Sequence, residues 1–436
     1  MKPVKLGLLG VGTVGASTAL VLKNNAAEIA RRAGRSIEII QASRRDVSAG
    51  LPPDSGEIEL VADPFEVVDN PEIDIVIELI GGADTAFDLV MKAIANGKHV
   101  VTANKALIAL HGNEIFAAAQ NKGVNVVFEA AVAGGIPIIK SIREGLSANL
   151  IESVAGIING TGNFILSEMR SKGLDFDAAL KQAQRLGYAE ADPSFDIQGV
   201  DAAHKAALMS AIAFGVPVQF DKVYVEGITQ LQAADITYAD QLGYRIKLLG
   251  ITKRTEHGIE LRVHPTLVAS KCLIANVEGA MNAVLVHADA VGTTLYYGKG
   301  AGAEPTASAV VADLVDVTRL HTADPEHRVP HLAFQPEAMA NTPILPIEKV
   351  ITAFYLRLVV ADQTGVLARI AGILAERDIS IDALLQRASA SDETQTDVII
   401  LTHNTIEERI NASVAKMQAL PTVLAPIVRI RKEDLS

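Results

Sequence analysis

The sequence predicts an α/β protein in three parts: a doubly wound parallel sheet at the N-terminus, a central α+β region and a C-terminal β-α-β-β-α-β module. Strand-like and helical segments alternate regularly over the first part, which is the pattern of a parallel sheet covered by helices. The alternation is lost near residue 150, and a shorter one begins after a stretch containing five prolines. We therefore expect domains over residues 1–140, 141–320 and 350–436, with a linker over residues 321–349.

Composition and charge narrow the classes of function before any motif is considered. The 436 residues carry 39 basic and 51 acidic side chains, and the net charge of −12 disfavours a nucleic acid or an anionic membrane as partner. Cys272 is the single cysteine, so an intrachain disulfide is excluded and a reducing compartment is favoured. No apolar run reaches the roughly 20 residues of a membrane-spanning helix. We expect a cytoplasmic protein with no membrane partner.

A glycine-rich turn follows directly on the first predicted strand, residues 4–9. Its glycines have the spacing G-x-G-x-x-G, and an Ala- and Leu-rich helix comes next. In this context the glycines permit a tight turn, close approach of the backbone to a pyrophosphate, and packing of the helix on the strand. We predict a Rossmann-type dinucleotide site, the alternative being a plain glycine turn. Its predicted residues are Gly10, Gly12, Thr13, Val14 and Gly15.

The end of the second predicted strand, residues 37–42, bears on the choice of cofactor. NAD enzymes of this fold place an acidic residue there to bind the ribose 2′-hydroxyl. This chain instead has Arg44 and Arg45, whose guanidinium groups suit the 2′-phosphate of NADP. NADP is the predicted cofactor, with NAD also accepted; the alternative is that both arginines are solvated loop residues.

Further strands are predicted over residues 74–80, 99–102 and 124–129. Ligands of open parallel sheets lie beyond the carboxyl ends of the strands, and Lys105 follows such an end. We therefore expect Lys105 near the nicotinamide or the substrate. The alternative is an exposed lysine at the start of a helix.

Glu129 ends the last of these strands and opens an irregular segment that is rich in glycine. Its carboxylate and the carbonyl groups of Val132, Gly134 and Ile136 are oxygen ligands of the kind that hard cations prefer. The segment predicts a site for a monovalent cation. A glutamate that caps the N-terminus of the next helix is an equally good interpretation.

A helix beginning near residue 200 carries Asp201 and Lys205, one turn apart on the same face. A solvated ion pair of this kind would contribute only about 0.3 to 0.5 kcal/mol. However, the surrounding residues are mostly Ala, Leu and Met, which is the pattern of a buried helix, and buried charges are more often functional. With Glu190 and Asp196 just upstream, we predict a pocket that binds a substrate cation through carboxylates and moves a proton through Lys205.

Two glycine-containing loops and the C-terminal part of the chain carry the remaining sequence predictions. The polar loop 159–163 precedes a helix, and its backbone could bind a carboxylate, although a routine helix cap is the alternative. The segment from Tyr296 has glycines at 298, 300 and 302 and predicts a flexible loop before a helix that opens at Pro305 and Thr306. Over residues 353–431 the order β-α-β-β-α-β predicts a ferredoxin-like module.

The chain resembles the homoserine dehydrogenases over essentially its whole length. The resemblance rests, in order, on GLLGVGTVG, TANKALIA, FEAAVAGGIPII, NGTGNFIL, GYAEADPSFDIQGVDAAHK and GKGAGAEPTASAVVADL, of which the fifth is the most specific. The C-terminal module, with DQTGVLARIAGIL, resembles an ACT domain, a module that binds amino acids.

The resemblance implies reversible oxidation of L-homoserine to L-aspartate 4-semialdehyde with NAD(P), toward threonine, isoleucine and methionine. It implies that Lys205 is the acid/base, assisted by Lys105. Substrate binding is implied for Asp201 and Glu190, and Gly187 and Gly302 are implied to lie close to cofactor and substrate. Glu129, Val132, Gly134 and Ile136 match the sodium site of the family.

The resemblance of the last module to ACT domains implies feedback regulation, with threonine the expected effector, and a homo-oligomer, either dimer or tetramer. Two other functions fit parts of the pattern. One is another amino-acid dehydrogenase of similar layout. The other is a non-catalytic sensor of nucleotides and amino acids, which would have no need for Lys205.

Overall fold

A computed structural model describes residues 2–51, 55–321, 323–325, 328–387 and 394–435. The chain divides into two compact units, each built from separate segments. The first contains Met1–Val154, His204–Lys222 and Asn282–Thr342; the second contains Ala155–Ala203, Val223–Met281 and Pro343–Ser436. The domain boundaries expected from the sequence stay a prediction. No helix among the described residues is long and apolar enough to cross a membrane.

The strands and helices are numbered along the chain. The strands are β1 Val4–Leu9, β2 Ile37–Ser43, β3 Glu59–Val61, β4 Ile75–Glu78, β5 His99–Thr102, β6 Val126–Val127, β7 Ile151–Ile157, β8 Tyr224–Val225, β9 Tyr244–Thr255, β10 Gly258–Ala269, β11 Met281–Ala288, β12 Gly292–Lys299, β13 Ile351–Ala361, β14 Ile381–Gln386, β15 Gln395–Thr402, β16 Thr405–Ile406 and β17 Val428–Glu433. The helices are α1 Thr13–Asn24, α2 Ala26–Ala33, α3 Pro64–Asp69, α4 Asp84–Ala95, α5 Lys105–Lys122, α6 Ile138–Lys140, α7 Gly160–Lys172, α8 Phe176–Arg185, α9 Ser194–Ile197, α10 Val200–Phe214, α11 Ala233–Gln241, α12 Ala303–Leu320, α13 Val366–Ala375 and α14 Glu407–Gln418.

The first unit contains a six-stranded sheet with the order β3-β2-β1-β4-β5-β6. Every neighbouring pair in it is parallel. The order reverses direction at β1, so the predicted doubly wound arrangement is confirmed, and the carboxyl ends of β1 and β4 flank the crevice where such sheets bind dinucleotides. Buried side chains of α12, such as Val310, Leu314 and Val317, belong to the same apolar core as the strands.

The second unit contains the strand order β9-β10-β17-β13-β15-β14. The last four strands pair antiparallel to one another, with the first and third strands of the module at its centre. Together with α13 and α14 they form the predicted ferredoxin-like module, whose core includes Phe354, Leu358, Ile370 and Ile410. Strand β17 also pairs in parallel with β10, at Thr266–Val268. The C-terminal module therefore shares one sheet with the preceding part of this unit.

The structure corrects two expectations about local structure. The long strand β9 was not predicted, because basic residues such as Arg245 and Lys247 interrupt its apolar run. The flexible loop expected from Tyr296 is mostly ordered: β12 extends to Lys299 and α12 already begins at Ala303. Only residues 300–302 between them lie outside regular structure.

Candidate active site

The turn between β1 and α1 has the geometry that a pyrophosphate requires. Gly10 has a φ of +93°, and a Cβ atom at Gly15 would lie 2.1 Å from the Gly10 carbonyl oxygen, so neither position admits a side chain. A Cβ atom at Gly12 would meet nothing within 4 Å, so open space lies in front of that backbone. Helix α1 begins at Thr13 with no side-chain cap and no acidic residue in its first turn. Its free amide groups therefore suit an anion.

Strand β2 is followed by two arginines. Arg44 is half-buried, and its Nη1 donates to the Gly50 carbonyl at 2.6 Å, whereas Arg45 is exposed. The nearest acidic residue, Asp46, accepts hydrogen bonds from the amide and hydroxyl groups of Ser48 at 3.0 and 2.5 Å. Its carboxylate thus caps a local turn.

Lys105 is the first residue of α5, directly beyond the carboxyl end of β5. A buried network fixes this end: Thr102 Oγ1 donates to Glu78 Oε2 at 2.6 Å and accepts from the Asn104 amide at 2.9 Å. Asn104 caps α5 through Leu107 N and donates to the Gly82 carbonyl at 2.6 Å. Burial raises the pKa of the Glu78 carboxyl. The network ties the ends of β4 and β5 together and fixes the backbone from which Lys105 projects.

The segment that begins at Glu129 has features of a cation site and features of a helix-capping glutamate. The Glu129 carboxylate is 3% exposed and accepts from the backbone amides of Ile139 and Lys140 at 2.9 and 2.8 Å, as a helix-capping carboxylate does. Burial nevertheless raises the pKa of this carboxyl to about 7. The following turn passes through Ala133 and Gly134, with φ values of +56° and +52°.

A buried amide lies beside this turn. Asn282 is 1% exposed, and neither its Oδ1 nor its Nδ2 has a hydrogen-bond partner among the described residues. Its side chain lies against Gly300, where a Cβ atom would be 1.9 Å from Nδ2. Gly300 in turn packs on Gly134, whose added Cβ would lie 2.4 Å from the Gly300 carbonyl oxygen. Buried polar groups are almost always hydrogen-bonded, so this amide indicates a ligand or water beside the turn.

Helix α10 carries Asp201 and Lys205 in buried positions. Every residue from 201 to 214 is buried, and all are apolar except Asp201, His204, Lys205 and Ser210. Lys205 is 9% exposed and Asp201 is 4% exposed. The prediction of a buried charged helix is therefore correct in its geometry, and an ordinary solvated ion pair does not describe this helix.

Asn159 brings two of the predicted substrate-binding carboxylates together. Its Nδ2 donates to Asp196 Oδ1 at 2.7 Å and to Asp201 Oδ2 at 2.8 Å. Its Oδ1 accepts from the Gly162 amide at 2.7 Å and so caps α7. One amide therefore orients both carboxylates relative to the start of α7.

The remaining predicted substrate residues lie on the segment between α8 and α9. Gly187 has a φ of +76°, a conformation that favours glycine. The next carbonyl, of Tyr188, accepts from Thr161 Oγ1 at 2.6 Å, and the Tyr188 ring packs on Phe164 with centroids 4.7 Å apart. Glu190 is exposed. Gly302 precedes α12 in the first unit with a φ of +123°.

Comparison with known proteins decides the family. The homoserine dehydrogenase NAD-binding domain model matches residues 10–129, the homoserine dehydrogenase model matches residues 137–315, and the ACT domain model matches residues 354–422. A homoserine dehydrogenase of Pseudomonas aeruginosa is 62% identical over 436 residues, covering 100% of both chains. The chain belongs to the homoserine dehydrogenase family.

Solved structures of homoserine dehydrogenases agree with this assignment. One from Thiobacillus denitrificans has a TM-score of 0.95 and 65% identity, covering 100% of this chain and 99% of that chain. A hyperthermophilic archaeal homoserine dehydrogenase in complex with NADPH has a TM-score of 0.63 and 27% identity, covering 74% of this chain and 99% of that chain. The predicted family, fold class and oxidoreductase activity are confirmed, as are a domain for a nicotinamide dinucleotide and a C-terminal ACT domain.

Sequence reasoning missed two sets of residues that position the candidate site. Glu78 and Thr102 lie 24 residues apart and meet only through the pairing of β4 with β5. Asn159 was predicted only as part of a polar loop or a helix cap, and its bonds to Asp196 and Asp201 span 37 and 42 residues. Asparagine at a helix cap can also donate hydrogen bonds through its side-chain nitrogen, and this was the signal that sequence reasoning could have used for Asn159.

Proposed function

We propose that Lys205 transfers the proton, and that Asp196, Asp201 and Glu190 bind the substrate, in the reversible oxidation of L-homoserine to L-aspartate 4-semialdehyde. The observation that supports this most is α10, a helix buried throughout residues 201–214 that retains a carboxylate and a lysine one turn apart. Burying charges costs free energy, so a buried charged pair amid apolar residues favours a chemical role. The link from Asp201 to Asp196 through Asn159 adds a second, oriented carboxylate.

The residues present can supply each function that the chemistry requires. A primary alcohol holds its proton far above neutral pH, so a base must lie at the hydroxyl oxygen while the nicotinamide dinucleotide accepts the hydride. In the oxidation, the hydroxyl proton passes to the Lys205 amine; in the reduction, the Lys205 ammonium donates it to the aldehyde oxygen. The carboxylates bind the substrate ammonium group, and Lys105 assists from the end of β5. Gly187 and Gly302 allow close approach of substrate and cofactor.

Replacing Lys205 tests this assignment directly. We expect Lys205→Ala to lower kcat by about 10²- to 10⁴-fold, the usual effect of removing a general acid or base. Lys205→Arg should not restore activity, because a guanidinium group keeps its proton. Cofactor affinity, followed by the fluorescence of NADPH, should change little. The matched control is Lys222→Ala, an exposed lysine beyond the same helix, which should retain full activity.

A Lys205→Ala protein with kcat within a few-fold of the wild type would refute the role of this amine. Absence of any homoserine-dependent reduction of NADP or NAD by the wild-type protein would refute the reaction itself, and a different amino alcohol or amino acid as substrate would then be indicated.

The proposed cofactor is NADP, with NAD as a second cofactor. Arg44 and Arg45 follow β2, and the carboxylate of Asp46 is bonded to Ser48. A family member of known structure binds NADPH, which agrees with this preference. The ratio of kcat/KM for NADP to that for NAD should exceed one, and a ratio below one would contradict the proposal.

A monovalent cation, sodium above all, is proposed to bind Glu129, Val132, Gly134 and Ile136. Two observations support a ligand there: the left-handed turn at Ala133 and Gly134, and the unpartnered buried amide of Asn282 beside Gly300. Because both Glu129 carboxylate oxygens accept backbone amides, the cation would depend more on the carbonyl oxygens of the turn. The cation would hold the turn in place; no chemical step depends on it.

We also propose that threonine regulates the enzyme through the ACT domain. The enzyme is further proposed to be a homo-oligomer and to lie in the cytoplasm. The ACT domain match over residues 354–422 supports regulation by an amino acid. Regulation is tested by adding L-threonine to the homoserine oxidation assay, and the absence of inhibition would contradict it. The oligomer is tested by the molecular mass in solution, and a monomer would contradict it.

A further inference from the structure

A buried carboxylate, that of Glu78, lies at the cofactor crevice of the first unit. Glu78 is the last residue of β4 and is 0% exposed. Its Oε1 accepts from the backbone amides of Ile80 and Gly81 at 3.0 and 3.3 Å, and its Oε2 accepts from Thr102 Oγ1 at 2.6 Å. These three donors are uncharged, so none of them cancels a negative charge on this side chain.

The directions of the hydrogen bonds indicate that Glu78 is ionised. Thr102 Oγ1 accepts from the Asn104 amide at 2.9 Å, so its own hydrogen is left to donate to Glu78. A separation of 2.6 Å is typical of a hydroxyl that donates to a carboxylate. A protonated Glu78 would need an acceptor, whereas both groups bonded to its Oε1 are amide donors. Burial raises the pKa of Glu78, and the hydrogen bonds oppose that rise.

The residues after Glu78 form the floor of the crevice. A Cβ atom at Gly10 would lie 2.9 Å from the Leu79 carbonyl oxygen, so this segment packs directly against the glycine-rich turn. Gly81 and Gly82 have φ values of +72° and +74°, and a Cβ atom at either would meet nothing within 4 Å. Open space therefore lies in front of this backbone. Because Glu78 Oε1 accepts the Gly81 amide, the carboxylate lies one hydrogen bond away from that open surface.

The strand order indicates which half of a dinucleotide approaches this floor. A doubly wound sheet has two mononucleotide-binding halves, which here are β1–β3 and β4–β6. Arg44 and Arg45, proposed to bind the 2′-phosphate of the adenosine half, follow β2. We therefore expect the nicotinamide half over the carboxyl ends of β4–β6, where Glu78 lies.

Oxidised and reduced nicotinamide differ in charge, because the oxidised ring is a pyridinium cation and the reduced ring is neutral. We propose that the Glu78 carboxylate attracts the pyridinium ring across the floor of the crevice and so favours the oxidised cofactor over the reduced one. Two unit charges about 10 Å apart, at an effective dielectric constant of about 20, alter an affinity by roughly tenfold. The inference rests on the proposed nicotinamide cofactor and goes beyond it by assigning the residue that distinguishes its redox states.

Replacing Glu78 by glutamine removes the charge and keeps the size of the side chain. The amide oxygen of glutamine can still accept the two backbone amides. Calorimetry on the full-length protein measures the Kd of oxidised NADP and of NADPH. We expect Glu78→Gln to raise the Kd of oxidised NADP by about 3- to 10-fold and to change that of NADPH little. The matched control is Glu38→Gln, an exposed glutamate on β2 of the same sheet, which should change neither Kd.

A third ligand separates an effect of charge from an effect of structure. The compound 2′-phospho-ADP-ribose carries the same phosphates as NADP but lacks the nicotinamide ring. Its Kd should therefore be the same in the wild type and in Glu78→Gln. If Glu78 only holds the floor in place, Glu78→Gln should weaken the binding of all three ligands alike, and that result would overturn the inference.

Glu78→Met is a second neutral variant, and thermal unfolding shows which of the two variants is folded. Because methionine also removes the hydrogen bonds to the floor, we expect it to weaken all three ligands. The ratio of the Kd of oxidised NADP to that of NADPH should nevertheless rise by the same factor as in Glu78→Gln. A wild-type ratio in either folded variant would overturn the inference. Wild-type protein that binds neither NADP nor NAD would instead refute the proposed cofactor.

Discussion

Asn159 uses its two side-chain atoms for different purposes. The oxygen caps α7 through the Gly162 amide, and the nitrogen donates to Asp196 and Asp201. Serine and alanine substitutions separate these purposes, because serine is as good a helix cap as asparagine but cannot donate to both carboxylates.

We expect Asn159→Ser to lower the thermal midpoint less than Asn159→Ala does, because the cap is kept, and to lower kcat/KM for homoserine by about 5- to 150-fold, since a lost hydrogen bond to a charged group costs about 1 to 3 kcal/mol. Asn159→Ala should show the same kinetic loss and a lower midpoint, because the cap is also removed. Steady-state kinetics and thermal unfolding measure the two effects. Full activity of Asn159→Ser would show that the amide only caps the helix.

Single residues were predictable where a local motif defines them. The glycines at 10, 12 and 15 and the charged pair on α10 could be recognised from spacing and from the apolar residues around them. Glu78 and Thr102 could not, because their contact depends on strands that are distant in sequence. The exposed position of Glu190 was equally inaccessible, since burial of a loop carboxylate depends on the surrounding fold.

At the scale of single elements, exchanging the salt in the assay tests whether the turn from Glu129 to the start of α6 is a cation site or only a helix cap. If a cation holds the turn, replacing sodium by N-methyl-D-glucamine at equal ionic strength should lower the rate of homoserine oxidation, and sodium should restore it. The reason is that the carbonyl oxygens of this turn accept a small hard cation but cannot surround a bulky organic one. Rates that are equal in the two salts would favour the helix cap, which the two amide bonds of Glu129 already provide.

Elements with an uninterrupted apolar run or a flanking motif were predictable, and β9, whose run contains charged residues, was not. Strand β1 and the first strand of the ACT domain follow simple patterns. Strand β9 does not, because it buries a lysine, Lys247, whose ammonium donates to the Val277 carbonyl at 2.6 Å. Burial lowers the pKa of Lys247 to about 8. A charged residue in an apolar run is normally evidence against a buried strand, so this one concealed β9 from sequence reasoning.

At the scale of the whole molecule, histidines whose pKa is lowered by burial make stability depend on pH, and His99 and His331 are examples. Burial lowers the pKa of His99 to about 3 and that of His331 to about 4. His99 is 4% exposed, and its Nδ1 accepts the Asn125 amide at 2.9 Å. Between these values and the ordinary pKa near 6.5, the unfolded chain takes up protons that the folded chain does not. Stability contributed by the neutral rings is therefore complete above about pH 6.5 and is lost as the pH falls.

We expect His99 alone to reduce the free energy of unfolding by about 2 kcal/mol between pH 7 and pH 5. Urea unfolding at the two pH values should show a smaller acid-induced loss in His99→Gln than in the wild type, by about that amount. Substitution of the exposed His257 is the control and should leave the loss unchanged. If the free energy of unfolding fell by the same amount between pH 7 and pH 5 in the wild type and in His99→Gln, the role of His99 would be contradicted.

The sheet order and the family could be derived from motifs, but the path of the chain through the molecule could not. Each unit is assembled from three separate segments, and α10 starts in one unit and ends in the other. Sequence patterns indicate elements in order along the chain, whereas this arrangement depends on contacts between segments more than 100 residues apart, such as the bond from Asn113 to the Val218 carbonyl.

The parallel pairing of β10 with β17 has a practical consequence for protein engineering. Cutting the chain before residue 350 would uncover the backbone of Thr266–Val268 and leave three buried residues at a bare sheet edge. Bare edges recruit other chains, so we expect the truncated enzyme to aggregate. Variants meant to probe the ACT domain are therefore better made as single substitutions in the intact polypeptide than by removal of its last ninety or so residues.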